Sequence, residues 1–328
     1  MDADKTIPQT NICEAGARKS YRAHRYLQDL EDAEVQQLCR DAYRNFLTIN
    51  LEGKASPLPL THPWHWYWRL RLLHIHEEMT IRFGEYPNGF DDSYVSTIKI
   101  PRPDSFRIMK AASAIDRQSV VRGEYLVKYG QKAHILEMLD KGTVRIAPAS
   151  SYAAIEDNDA ISDTELKFTY KFYNSPPELI SPHAIVPPDL AAKEMLQGTA
   201  FLELTLREDY YLFCLSASYD PRLFDDFESD ACLIIDSPIE FRDRLMRRVA
   251  EKTQSKGWAF SAVTYVDPFS IPDPGQNFSF RKHHRYAYQD ELRAAWQMRQ
   301  GYGHNLDALF VELGSLRDIA RIVTIDTQ

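Results

Sequence analysis

Residues 284–296 read HRYAYQDELRAAW and follow a basic run, Arg281, Lys282, His283, His284 and Arg285. The aromatic segment predicts a strand. On a strand Gln289 and Glu291, two positions apart, project from one face because successive side chains alternate. A carboxylate and an amide then share a surface, which offers acceptors and donors to a polar ligand. The same alternation sends Tyr286 and Tyr288 into the core and makes Arg293 a same-face neighbour of Glu291, able to form a surface ion pair of small energetic weight. An exposed edge strand would carry the same residues.

Other residue sets could also do chemistry. His74 and His76, with Glu78 in register, would share one face of a second predicted strand; they offer a metal too few ligands at a recognised spacing, and structural hydrogen bonding is the simpler expectation. Asp225, Asp226, Glu228 and Asp230 supply the clustered acids that a metal-dependent nuclease needs, or else an acidic surface loop. Trp64, Trp66 and Trp68 alternate, as a base-stacking platform or a core-facing strand would. Arg242, Arg244, Arg247 and Arg248 interleave with Glu240, Asp243 and Glu251 and read as a solvated, ion-paired helix face. The sequence contains no Walker-type or dinucleotide glycine fingerprint, no GxSxG and no HExxH. No metal site is therefore expected.

These residues need elements to position them. LEDAEVQQLCRDAYRNFL has helical spacing through Val35, Leu38, Cys39, Ala42, Phe46 and Leu47. Residues up to about Lys19 are polar and aperiodic and read as a loosely held arm. WHWYWRLRLLHIHEEMTIRF reads as a strand ending at the turn signal YPNG, with SYVSTIKIPRP as another. Beyond AASAIDRQSVVR come strand YLVKY, helix QKAHILEMLDKG ending at Gly142, strand TVRIAP, loop ASSYAAIEDNDAISD, a strand over 167–173, and the break SPPELISPHAIVPP. The strands of TAFLELTLREDYYLFCLSAS, a helix near PIEFRDRLMRRVAEKTQ, strand WAFSAVTYVD and the C-terminal FVELGSLRDIARIVTID complete the chain. Strands dominate and helices are few, so the expected class is α+β with mostly antiparallel sheets.

At 328 residues the chain suits two domains: a smaller mixed α and β N-terminal module over 1–118, serving target recognition or regulation, and a larger domain over 119–328. The net charge is -8, and residues 1–115 balance 15 basic against 15 acidic side chains, so the acidic excess lies beyond them. That distribution argues against general phosphate-backbone binding. Cys13, Cys39, Cys214 and Cys232 form no CxxC pair, which fits a reducing compartment. MDADKTIPQTNICEAG has no apolar signal core and no apolar run is long enough to span a bilayer, so the reading is a soluble, cytoplasmic protein with no membrane partner.

The order of motifs over about 120–325 carries a resemblance. Lys128 and Tyr129, Gly142, Ala147 to Tyr152 (APASSY), Phe213 to Ser216 (FCLS), LFDDF, and Phe280 to Arg293 in the pattern FRKxxxYxYQxExR resemble an uncharacterised bacterial domain family. That order is in turn similar to the ADP-ribosyltransferase superfamily. There, a basic or polar residue on a first strand, a Ser-containing strand and a Glu on a late strand surround NAD. Gln289 and Glu291 match the late Gln-x-Glu; Lys128-Tyr129 stands where Arg or His is usual, and SSY where Ser-Thr-Ser is common.

The resemblance implies an ADP-ribosyltransferase-like fold for 119–328 and NAD as a substrate that is consumed. It makes Glu291 the residue that bonds the ribose hydroxyl and stabilises an oxocarbenium-like sugar, and Gln289 the residue that orients the acceptor. Tyr129 or Tyr152 would stack on nicotinamide, Ser150 or Ser151 would bond its amide or the ribose, and Lys128 or Arg281 would meet the pyrophosphate. The implied activity is transfer to a macromolecular acceptor, protein or nucleic acid, or hydrolysis of NAD. A bacterial toxin or phage-defence effector would act this way, restrained by an inhibitory partner or antitoxin. The alternative is a non-catalytic sensor that binds a nucleotide or a partner in the same cleft.

Overall fold

The computed structural model describes residues 13–49, 54–62, 64–85, 106–115, 123–152, 165–172, 200–266 and 277–325. They form an α+β fold around an antiparallel eight-stranded sheet. The predicted strand SYVSTIKIPRP, the YPNG turn, most of the loop after Tyr152 and the break SPPELISPHAIVPP lie outside the described residues.

Three N-terminal helices come first: α1 (Glu14–Ala23), α2 (Asp32–Phe46) and α3 (His65–Phe83). The expected loose arm is thus helical from Glu14, and Arg18 ties it down through Glu77 at 2.8 Å. In α2 the expected helix appears, opened by a reciprocal capping box between Glu31 and Glu34. The predicted strand at WHWYW is instead the start of α3. Its alternation lasts only a few residues, whereas Trp68, Leu72, Ile75 and Met79 bury at helical spacing.

Only a helix also brings Glu77 and Glu78, both fully buried, to their partners. Arg18 and Arg22 hold Glu77, while Arg25, Arg82 and Tyr21 hold Glu78. Burial opposes ionisation of both carboxyls, but these hydrogen-bonded arginines keep them below the usual carboxylate range. Leu47, expected to continue the helical spacing of α2, instead begins a strand: β1 (Leu47–Ile49) and β2 (Ala55–Pro57) pair antiparallel beside the helices.

The larger sheet begins at β3 (Leu126–Gly130), followed by the helix Lys132–Lys141 and β4 (Thr143–Pro148). Gly142 ends that helix at φ 70, and a Cβ there would collide with the Gly314 backbone, so both conformation and space call for glycine. Strands β5 (Lys167–Phe172) and β6 (Ala200–Thr205) pair antiparallel in a separate two-stranded sheet. Then come β7 (Tyr210–Ser216), β8 (Ala231–Ile235), the helix Pro238–Lys252, β9 (Ser255–Ala262) and β10 (Thr264–Val266). The chain ends with β11 (Arg281–His283), β12 (Glu291–Met298), β13 (Leu309–Glu312) and β14 (Ala320–Thr324).

Strand β7 is the hub. One edge pairs along its whole length with β12. The other edge splits: its beginning pairs with β4 at Leu212 and Tyr211, and its end with β3 at Ser216. The split opens a gap in the sheet. Leu233, Phe241, Leu245, Trp296 and their neighbours form the core under one face, against the two long helices of this region.

The N-terminal helices lock onto the sheet through the segment before β12. Asn45 of α2 donates to the carbonyls of His284 and Arg285 at 3.3 and 3.2 Å and accepts from the amide of Tyr288 at 2.8 Å. Arg222 donates to the Arg44 carbonyl at 2.6 Å while its guanidinium lies 3.6 Å from the Tyr288 ring centre. Among the described residues no helix is long and apolar enough to cross a membrane.

Candidate functional site

The predicted strand through Gln289 and Glu291 is broken between them. Residues His284–Gln289 form a 3-10 turn, Asp290 takes a left-handed conformation at φ 45, and β12 starts at Glu291. The two side chains still meet, for a different reason. Lys282 on β11 donates to Gln289 Oε1 at 2.9 Å and to Glu291 Oε2 at 2.7 Å, so one ammonium holds amide and carboxylate together.

Arg293 completes the cluster. Its Nε donates to Glu291 Oε1 at 2.5 Å, and its two terminal nitrogens grip Glu165 at 2.7 and 2.6 Å. The expected surface ion pair between Glu291 and Arg293 is in fact buried, with Glu291 6% exposed and Arg293 fully enclosed. Burial alone would push the Glu291 carboxyl up, but Arg293 and Lys282 outweigh it and hold the group well below the usual carboxylate range. Tyr265 Oη accepts the Glu291 amide at 2.7 Å, and Ser216 Oγ donates to the Gln289 carbonyl at 2.8 Å, which fixes the backbone on either side of Asp290.

Glu291 opens onto a cavity of about 200 Å3 in the split of the sheet. Lys128 and Tyr129 from β3, Tyr152 after β4, and Gln289 and Glu291 all line it, joined by Cys214, Glu165 and Lys282. Lys128 donates to the Cys214 carbonyl at 2.9 Å and lies 4.7 Å from the Phe213 ring centre. Burial lowers its affinity for a proton, and raises the Tyr129 and Tyr152 hydroxyl pKa values and that of the Cys214 thiol, the last to about 12.

Three of the proposed NAD-contacting residues lie apart from this cavity. Ser150 bonds Asp209 on the exposed side, with its amide donating at 3.1 Å and its hydroxyl at 2.5 Å. Ser151 Oγ turns back to the Pro148 carbonyl at 2.7 Å. Arg281 is buried, but its side chain does not line the cavity.

Two members of the cluster had no role assigned from sequence. Lys282 is one of five consecutive basic residues, and only its partner contacts single it out. Glu165 comes from a stretch with no periodic signal and reaches Arg293 across 128 positions.

The other candidates resolve as structural. His74 and His76 sit on α3 against the hydroxyls of Tyr26 and Tyr43, at 3.2 and 2.9 Å. Burial lowers both imidazoles to about 4. Asp226 pairs with Arg222 and Asp230 caps the Lys132 amide; no group of acids, histidines or cysteines able to hold a metal occurs among the described residues. Trp64 and Trp68 are buried in the N-terminal core, with Trp68 stacked on His284. Compared with known proteins, the chain matches no family model, no curated sequence and no solved structure.

Proposed function

We propose that the protein is an NAD-consuming enzyme of ADP-ribosyltransferase type, acting in the cytoplasm on a protein or nucleic-acid acceptor or on water. The observation that supports this most is the convergence of Lys128, Tyr129, Tyr152, Gln289 and Glu291, from distant parts of the chain, on one cavity around a buried carboxylate. At about 200 Å3 the cavity is smaller than the roughly 300–1,000 Å3 usual for small-molecule pockets, which suits the nicotinamide and its ribose better than a whole dinucleotide.

In this reading the bond between the ring nitrogen and the ribose carbon breaks, and its electron pair leaves with neutral nicotinamide. Positive charge passes to the sugar, where the ionised Glu291 stabilises it in a low-dielectric setting. Lys282 and Arg293 keep that carboxylate ionised and immobile. Tyr129 and Tyr152 offer ring faces to nicotinamide, Lys128 an ammonium to the nearest phosphate, and Gln289 an amide to the acceptor. The acceptor heteroatom, or water, then bonds the sugar carbon and sheds its proton. Such an activity suits a toxin or phage-defence effector held in check by an inhibitory partner.

The test is nicotinamide release from NAD by wild type and Glu291→Gln, both verified as folded, with and without cell lysate. Release by wild type that falls by about 100-fold or more in the variant supports the proposal; equal release by both removes Glu291 from it. A second reading, a non-catalytic nucleotide sensor, draws on the fact that both Glu291 oxygens already carry cationic partners. That reading predicts thermal stabilisation by NAD with no nicotinamide released.

A further inference from the structure

A second cavity of about 380 Å3 lies where the N-terminal helices meet the sheet. Its chemistry differs from that of the Glu291 cavity. Trp64, Trp68, Tyr219 and Tyr288 line it with aromatic side chains, and Asp220 and Asp290 line it with acidic ones. No lysine or arginine occurs among its described lining residues. Aromatic walls favour a flat ligand and acidic ones favour N–H donors, and because Arg222 behind Tyr288 is turned to Asp226 and the Arg44 carbonyl, a phosphate meets no lysine or arginine lining the cavity.

We propose that this junction cavity binds a planar, non-anionic heterocycle with N–H donors, a nucleobase or nucleoside, and that its occupancy is felt at the Glu291 cavity. The two cavities share one wall. Along it Tyr288 and Asp290 face the junction cavity while Gln289 and Glu291 line the other, the left-handed turn at Asp290 setting this alternation. A second link joins them: the Tyr129 hydroxyl, in the Glu291 cavity, donates to the Asp220 carbonyl at 3.2 Å and accepts from its amide at 2.8 Å. A ligand against Tyr288 and Asp220 therefore bears on both sides of the Glu291 cavity. Neither binding nor coupling depends on NAD cleavage.

The experiment is calorimetric titration of the full chain with the four common ribonucleosides and their 5′-monophosphates, followed by hydrogen exchange of the peptide spanning 286–292. At least one nucleoside should bind saturably below millimolar concentration, its monophosphate at least tenfold more weakly, and the bound nucleoside should slow exchange in that peptide. Two variants locate the site. Ser56→Phe, at a half-buried position on β2, plugs the cavity and should abolish binding while the melting temperature holds. Asp290→Asn keeps a residue that tolerates the left-handed conformation and should weaken binding at least threefold. Failure of all four nucleosides to bind, equal affinity for the monophosphate, or undiminished binding by a folded Ser56→Phe or by Asp290→Asn would overturn the site. Binding with unchanged exchange over 286–292 would overturn the coupling.

Discussion

The Lys282 ammonium lies 2.7 Å from the Glu291 carboxylate, and neither side chain is more than 7% exposed. A buried pair of this kind is a poor source of net stability, since desolvation offsets much of its attraction, yet removing one partner strands the other. Lys282→Met should therefore destabilise the protein by about 3 kcal/mol, read from urea unfolding. The double variant Lys282→Met with Glu291→Gln, which removes the stranded charge and keeps an acceptor for Arg293, should recover part of that loss. A double variant no more stable than the single would show that Lys282 serves packing alone.

Arg293 has a geometric task that a lysine cannot perform, because its fork reaches Glu165 and Glu291 together. Arg293→Lys keeps the charge and loses the bridging, at an expected cost of about 3 kcal/mol. Denaturant titration at neutral pH measures it, and a variant within 0.5 kcal/mol of wild type, roughly the range of a neutral surface change, would contradict the role.

Acid should weaken the protein in two stages. His74 and His284 have folded values lowered by burial, to about 4 and about 3, so the stability they contribute is full above their ordinary 6.5 and drains as pH falls toward those values. Glu291 also titrates below its ordinary value, here 4.5, so its contribution is full above that and is lost only at more acidic pH. Glu291→Gln should flatten the stability profile below about pH 4.5 and leave the histidine limb between pH 6.5 and 4.5 unchanged. An unchanged slope below pH 4.5 would mean that Glu291 titrates normally.

Asn45 is the side chain through which α2 holds the turn before Glu291. Asn45→Ala leaves two carbonyls and an amide of that turn without it, and should cost about 2 kcal/mol. Hydrogen exchange over 285–289 should rise locally, with β12 still protected. A uniform rise across the sheet would indicate global destabilisation instead.

Cysteine chemistry offers a direct check on the Glu291 cavity. The Cys214 thiol is pushed up to about 12 by burial and then by the nearby Glu291 charge. Cys39 and Cys232 are buried, Cys214 is half-buried but its thiol is held protonated, and Cys13 is exposed, so a disulfide reagent at pH 8 should label Cys13 alone within minutes. Rapid labelling of Cys214, read by peptide mass, would show that its thiol ionises more readily than burial beside Glu291 implies.

The elements with a long, unambiguous local pattern were legible from sequence. Helices over 32–46, 132–141 and 238–252, the strands YLVKY and TVRIAP, and Gly142 as a helix end all follow from period, capping and the left-handed tolerance of glycine. So was the pairing of Gln289 with Glu291, although for the wrong local reason. What tertiary structure alone decided lies where local signals conflict or vanish. WHWYW alternates like a strand, yet the fully buried Glu77 and Glu78 find their arginines only if the segment is a helix. HRYAYQ likewise gives up strand geometry where Asn45 takes over its backbone groups and Asp290 turns the chain. Glu165 has no periodic context at all; its place is set by Arg293, a buried cation that needs a second carboxylate whatever the distance along the chain. Period and propensity are properties of neighbours in sequence, whereas charge compensation in a low-dielectric interior is a property of neighbours in space, and the candidate site is built mostly from the latter.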